Sequence, residues 1–289
     1  DGDCTKLVLS LEDGLEVETV IIPMQAGYTV CISSQVGCGM GCAFCETGRM
    51  GLLRSLSASE IVAQVWMARH VIGKPIRNIV FMGMGEPFDN FDAVHQAIRV
   101  LMDPLGFGFG PRHITISTVG RVDGIQRMLD EMDPGLHLAL SLNSPNDGTR
   151  DRLMPINKRY HMADLRAVLE TFTQRGRSVL IEYVLLADVT DSLEHADQVA
   201  DFLQGLDVRV NCIPYNSQSR ARFQTPSCER IDAFMHRLRE RGLPALLRHH
   251  KGRSAMAACG QLGNIELRRQ LLKRADAKIS TQTPCSVSP

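Results

Sequence analysis

Residues 31–51 read CISSQVGCGMGCAFCETGRMG, and within them Cys38, Cys42 and Cys45 are spaced C-x3-C-x2-C. Cysteine thiolates two or three residues apart let one loop wrap its sulfurs around a small iron–sulfur core. Three protein ligands on a four-iron cube leave one iron open, and an open position on a metal centre is where a substrate or cofactor binds. Gly37, Gly39 and Gly41 interleave the cysteines and permit the tight turns that such wrapping demands. Two simpler readings use the same residues: half of a zinc site with its fourth ligand elsewhere, or reduced cysteines in a buried loop.

With Phe44 before the last cysteine, the motif resembles the signature of the radical S-adenosylmethionine (radical-SAM) enzymes. That resemblance implies a [4Fe-4S] cluster whose open iron chelates the amino and carboxylate groups of the methionine moiety. An electron from the cluster would then cleave the sulfonium to give a 5′-deoxyadenosyl radical.

Outward from this loop, 289 residues suffice for one large α/β domain or two small ones. The composition, 44% hydrophobic and 22% charged, is that of a soluble globular protein. No apolar run reaches the ~18 residues that span a bilayer, and no charged start leads into an apolar segment for export. Nine cysteines, an odd number, fit a reducing compartment and a cluster better than a disulfide framework, so a cytoplasmic location is expected. A net charge of zero argues against an obligate nucleic-acid binder. Locally, residues 236–253 (HRLRERGLPALLRHHKGR) are densely basic, followed by Arg268, Arg269, Lys273 and Arg274. They read either as a solvated helix face with a flexible tail or as an RNA-facing patch.

Glu12-Asp13-Gly14 between short apolar runs predicts a hairpin over 5–22, and residues 28–33 form an extended lead into the cysteine loop. Ser57 and Glu60 are spaced as a capping box, opening an amphipathic helix through Arg69. Strands are expected at 79–82, 113–117, 137–142, 179–185 and 208–213, with helices near 91–102, 123–131, 163–175, 192–203 and 227–241. A short further strand is expected at 245–248. Strands alternating with helices imply parallel pairing and right-handed crossovers. A partial (β/α)6 TIM-like barrel is therefore favoured over an open doubly wound sheet, in a single catalytic domain over 1–275: hairpin 5–22, barrel 26–250, C-terminal active-site segment 251–275. A loosely ordered tail, 276–289, follows. Ligands bind at the carboxyl ends of such strands, where the glycine-rich and polar segments 83–87, 117–120, 141–143 and 214–216 also fall.

Gly83-Met84-Gly85-Glu86-Pro87 offers accessible backbone N–H groups and one carboxylate, suited to the amino group of an amino-acid-like ligand, although a glycine turn before proline also ends many strands without function. Cys259, followed by Gly260, reads as a nucleophile on a loop or as a buried thiol. Cys31 lies outside the cluster spacing and reads by default as a core strand cysteine; Glu18 reads by default as an exposed strand carboxylate.

The ordered segments CISSQVGC at 31–38, FMGMGEP at 81–87, ISTVG at 116–120, SLNSPND at 141–147, MPINKRY at 154–160, EYVLL at 182–186, IPYN at 213–216 and ACGQL at 258–262 together resemble one family. It is the dual-cysteine radical-SAM RNA adenine methyltransferases, the RlmN and Cfr families, and the match runs from about residue 6 to 263.

The resemblance implies that Cys38, Cys42 and Cys45 hold the [4Fe-4S] cluster. Gly85, Glu86, Ser117, Ser141, Leu142, Asn143 and Asn216 would line the S-adenosylmethionine site, with Asn143 standing where family members often have His. Cys259 would accept a methyl group from a first S-adenosylmethionine. A second would yield the radical that takes a hydrogen from that methyl, so the sulfur-bound methylene adds to an adenine carbon. Cys31 would remove the proton from the modified carbon and close a transient disulfide with Cys259. Glu18 matches the family's carboxylate near the base, a proton acceptor or base-positioning group. The implied activity is methylation at adenine carbon 2, or carbon 8, of ribosomal or transfer RNA. The implied partners are structured RNA and an electron donor such as flavodoxin or ferredoxin, with no membrane and a monomeric enzyme. A radical-SAM enzyme of the same chemistry acting on a small molecule or peptide, and a cluster- or zinc-stabilised binding module, are the alternatives.

Overall fold

Gly14, at a φ of +78°, turns the chain between β1 (Thr5–Ser10) and β2 (Glu16–Met24), which pair antiparallel with Thr5 opposite Ile21 and Ser10 opposite Glu16. The structure, a computed structural model, describes residues 4–144, 146–216, 222–248 and 260–263. β2 turns again into β3 (Gly27–Cys31), an antiparallel pairing that the sequence pattern does not signal. Beyond Cys31 the chain leaves the sheet, so this strand stops short of the expected Ser33. The cysteine loop is instead bracketed by a two-stranded sheet, β4 (Gln35–Gly37) against β5 (Leu52–Ser55), with the short helix α1 (Glu46–Met50) between them. Gly37 has to be glycine there, because an added Cβ would lie 1.9 Å from the Gly51 carbonyl oxygen and its φ is +79°.

The Ser57–Glu60 capping box forms and starts α2 (Ala58–Trp66), which runs on into a π-helical turn, Met67–Val71. β6 (Ile76–Phe81), α3 (Phe91–Met102), β7 (Ile114–Thr118), α4 (Val122–Glu131) and β8 (His137–Ser141) then alternate. After α5 (Asp147–Leu153) come α6 (Met162–Gln174), β9 (Val179–Leu185), α7 (Leu193–Leu203), β10 (Val208–Pro214), α8 (Cys228–Glu240) and β11 (Ala245–Leu247).

The main sheet has the order β1-β2-β3-β6-β7-β8-β9-β10-β11 and is parallel from β3 onward. This is the expected partial (β/α)6 barrel: six parallel strands from β3 to β10, a short seventh, and the antiparallel hairpin added at one edge. Its core is apolar side chains packed between sheet and helices, among them Ile79, Ile116, Leu140, Ile181 and Val210, all fully buried. A smaller apolar cluster of Cys42, Leu153, Met154, Leu186 and Tyr215 fastens the cysteine loop to the carboxyl ends of β8 to β10. No described helix is long and apolar enough to cross a membrane.

Candidate active site

All the strand-end segments meet at one cavity that is open to solvent at its mouth. Cys38, Cys42 and Cys45 line it, and so do Gly85, Glu86, Ser117, Ser141, Asn143 and Asn216. Gly260 and Leu262 complete the wall. Of the residues expected at a cofactor site, Leu142 alone does not line the cavity. Its side chain is fully buried in the main core, and its N–H is held by the Leu140 and Glu182 carbonyls.

Among the described residues, no three His, Cys, Asp or Glu side chains surround a single ion position. Cys38, Cys42 and Cys45 share one cavity wall, an arrangement that suits three thiolate ligands of one iron–sulfur cluster. Burial pushes the Cys38 thiol up to about 12 and the Cys42 thiol well above its ordinary value. A thiol so buried resists ionisation, and a bound metal centre favours the thiolate that ligates it. The loop is held independently of any metal: the Ala43 N–H donates to the Leu153 carbonyl at 2.9 Å, and the Cys38 N–H to the Gly51 carbonyl at 3.1 Å.

Glu86 is 1% exposed, and burial pushes its carboxyl up to about 7. Its Oε2 accepts the Val119 N–H at 2.9 Å and its Oε1 the Phe88 N–H at 3.2 Å, so one carboxylate joins the ends of β6 and β7. Gln35, in β4, accepts the Glu86 N–H. Gly85 lies at a φ of +101°, and a Cβ there would come within 2.6 Å of the Gln35 side chain. A buried carboxylate with Ser117, Ser141 and Asn216 around the same space fits the amino and hydroxyl groups of S-adenosylmethionine. Asn143 takes a positive φ of 53°, which asparagine tolerates. Its amide is engaged by the protein, accepting from the Val184 N–H and donating to the Met154 sulfur.

Glu18 is not the exposed strand carboxylate of the default reading. It is 9% exposed, and Oε1 takes an ion pair from Lys6 at 3.2 Å while Oε2 accepts the Gly263 N–H at 3.0 Å. Two further bonds dock this C-terminal segment on α1: the Glu46 N–H donates to the Gly260 carbonyl at 2.8 Å, and the Thr47 hydroxyl to the Leu262 carbonyl at 2.5 Å. Cys31 ends β3, buried in the main core opposite Val20 and beside Val80. Neither Glu18 nor Cys31 lines the cavity itself. Cys259 lies outside the described residues, and no disulfide joins two described cysteines.

Several cavity groups escape a reading of the sequence alone. Glu182 lines the cavity from β9, held by the Asn211 amide at 3.1 Å and by Arg248 at 3.2 Å. Arg248 is legible in the sequence only as part of a basic run. Other arginines of that run serve the fold: Arg237 and Arg241 pair with Asp197 of α7, and Arg239 donates to the Ala245 carbonyl. That part of the run is therefore a helix face tied to its neighbours.

The radical SAM superfamily model matches residues 32–203. A relative from Protochlamydia amoebophila, named probable dual-specificity RNA methyltransferase RlmN 1, is 54% identical over 271 residues, covering 93% of this chain and 76% of that protein. Another, from Caldicellulosiruptor saccharolyticus and named probable dual-specificity RNA methyltransferase RlmN, is 43% identical over 263 residues, covering 91% of this chain and 76% of that protein. The crystal structure of a radical SAM methyltransferase from Sphaerobacter thermophilus superposes with a TM-score of 0.87 at 44% identity, covering 90% of this chain and 77% of that one.

Proposed function

Because the chain belongs to the RlmN-type dual-specificity RNA methyltransferases of the radical SAM superfamily, we propose that it methylates an adenine carbon of ribosomal or transfer RNA, carbon 2 in preference to carbon 8, through a methyl-cysteine. The observation that carries this reading is the shared cavity, in which the three motif cysteines face Gly260, the residue directly after Cys259.

An aromatic amidine carbon has no lone pair to offer a sulfonium methyl, so the hard step belongs to a cofactor. When bound, the [4Fe-4S] cluster and S-adenosylmethionine, used twice per turnover, supply a methyl group and a 5′-deoxyadenosyl radical. Cys38, Cys42 and Cys45 hold the cluster. Glu86 accepts from the amino group of S-adenosylmethionine, and Gly85, Ser117, Ser141, Asn143 and Asn216 shape its bed. Cys259 receives the methyl as a thioether and, once the new carbon–carbon bond exists, carries the base covalently. Cys31 would take the proton from the modified carbon as the adduct gives one electron back to the redox partner. Its thiolate would then attack the Cys259 sulfur, closing a disulfide and breaking the sulfur–carbon bond, so that the released carbon picks up a proton as the product methyl. Two thiols are needed because the one consumed as carrier is released only by exchange with another. Glu18 acts at the same segment, through the base or through Gly263. A protein such as flavodoxin or ferredoxin supplies the electrons.

The test is anaerobic incubation of the reconstituted, reduced protein with S-adenosylmethionine and unmodified ribosomal or transfer RNA, followed by nuclease digestion and mass spectrometry. Wild type should yield methyladenosine and Cys259→Ala none. Unmodified RNA from a cluster-loaded wild type, with both RNAs tried, would overturn the assignment.

A further inference from the structure

Arg150 is the largest fully buried side chain of the protein among the described residues, with 0% of its surface exposed. It lies on α5, and no described carboxylate touches it. Nη2 donates to the Val119 carbonyl at 2.5 Å and reaches the Ser141 carbonyl at 3.5 Å, Nε donates to the Leu142 carbonyl at 3.2 Å, and Nη1 to the Asn157 amide oxygen at 3.1 Å. Asp147 and Asp151 bind the far side of that amide, so Asn157 stands between them and the guanidinium. Gly120 leaves it room, since a Cβ there would sit 3.1 Å from Nη2.

A buried cation surrounded by neutral acceptors is expensive unless a negative charge lies close by. Here the same helix end packs on the cysteine loop. Leu153 and Met154 cluster with Cys42, and the Leu153 carbonyl binds the Ala43 N–H. Arginine stays protonated at neutral pH, and Val119 and Ser141, whose carbonyls Nη2 reaches, line the same cavity as Cys42. Three thiolates on a [4Fe-4S]2+ core give a net charge of −1, and one-electron reduction makes it −2. A fixed positive charge therefore stabilises the reduced form more than the oxidised form, by the same principle that lets net charge and burial set cluster potentials.

We propose that Arg150 is a positioning residue that also acts electrostatically, as the buried counter-charge of the cluster held by Cys38, Cys42 and Cys45, and that it raises the potential at which that cluster accepts an electron. The proposal rests on the cluster reading above. It also explains why one side chain gathers the carbonyls of Val119, Ser141 and Leu142, since the loops it ties together surround the same cavity.

The experiment is an anaerobic redox titration, followed by electron paramagnetic resonance, of reconstituted wild type, Arg150→Lys and Arg150→Gln, with iron content and melting temperature measured in parallel. Glutamine keeps a donor without the charge, and lysine keeps the charge without the fork. Arg150→Gln should lower the reduction equilibrium constant about tenfold, or ~59 mV for one electron, while Arg150→Lys stays near wild type even though both melt earlier. A glutamine variant that takes up no cluster while the lysine variant does would also show that the charge is required. An unchanged potential in Arg150→Gln overturns the proposal, as does an equal fall, or an equal failure to load, in both variants. A wild type that binds no four-iron cluster removes the reading of the site itself, before any variant is compared.

Discussion

The Glu18 carboxylate accepts the Gly263 N–H at 3.0 Å, joining the N-terminal hairpin to a segment 245 residues away in sequence, only four positions beyond Cys259. A hydrogen bond to a charged acceptor contributes ~1.5–3 kcal/mol. Glu18→Ala should therefore raise hydrogen exchange at the Gly263 amide by about tenfold or more, with the rest of the sheet unaffected. Glu18→Gln, which keeps an acceptor but loses the Lys6 ion pair, should fall between. Unchanged protection of Gly263 in Glu18→Ala would mean that the carboxylate does not hold the segment.

Glu86 sets a pH dependence. Burial raises its folded pKa from 4.5 to about 7, so between these values the folded protein holds a proton that the unfolded chain has released. Stability from this group is then present below about 4.5 and falls as pH rises through 7, by ~3 kcal/mol at most. A ligand amino group favours the ionised carboxylate, so S-adenosylmethionine affinity should rise as pH increases through about 7. Calorimetry across this range on wild type and Glu86→Gln checks it: the variant should bind more weakly and lose this increase.

Gly85→Ala combines a backbone conformation unfavourable to an L side chain with a 2.6 Å approach to Gln35. The penalty should be ~2–4 kcal/mol, read as a lowered melting temperature together with loss of S-adenosylmethionine binding. Gln35 is not a flexible tip at this point, because its backbone N also lies 2.8 Å from the added carbon.

Gln64 is a buried polar hub behind the cysteine loop. Its Oε1 accepts from the Thr19 hydroxyl at 2.7 Å and the Ser33 N–H at 2.8 Å, and its Nε2 donates to the Ser33 carbonyl at 2.9 Å. Gln64→Leu leaves all three partners buried and unsatisfied, a loss of ~3 kcal/mol or more. Denaturant unfolding should show a lower midpoint with an unchanged slope.

The barrel was legible because its signals are local. The Asp13–Gly14 turn, the Ser57–Glu60 box and the alternation of apolar runs each depend on neighbours a few residues apart. The cysteine spacing and the strand-end segments likewise named most of the cavity wall. What stayed hidden depends on contacts distant in sequence. Glu18 is buried because Lys6 and Gly263 close on it, and alternation along β2 could not reveal that. Leu142 sits in a polar-looking motif, yet the bend after β8 turns it into the core. Nothing in the spacing around Arg150 marks it out, and only the folded chain brings the Val119 and Leu142 carbonyls to it.

The transfer of the base through two cysteines is tested most directly with Cys31→Ala, produced anaerobically in cells and analysed by intact-mass and peptide mass spectrometry after nuclease digestion. Without Cys31 to take the final proton and displace the product, Cys259 should carry a covalent adenosine-derived adduct whose remaining nucleotides identify the RNA. A Cys259 bearing only a methyl group, or nothing, in protein with its cluster intact would contradict the proposed role of the two cysteines.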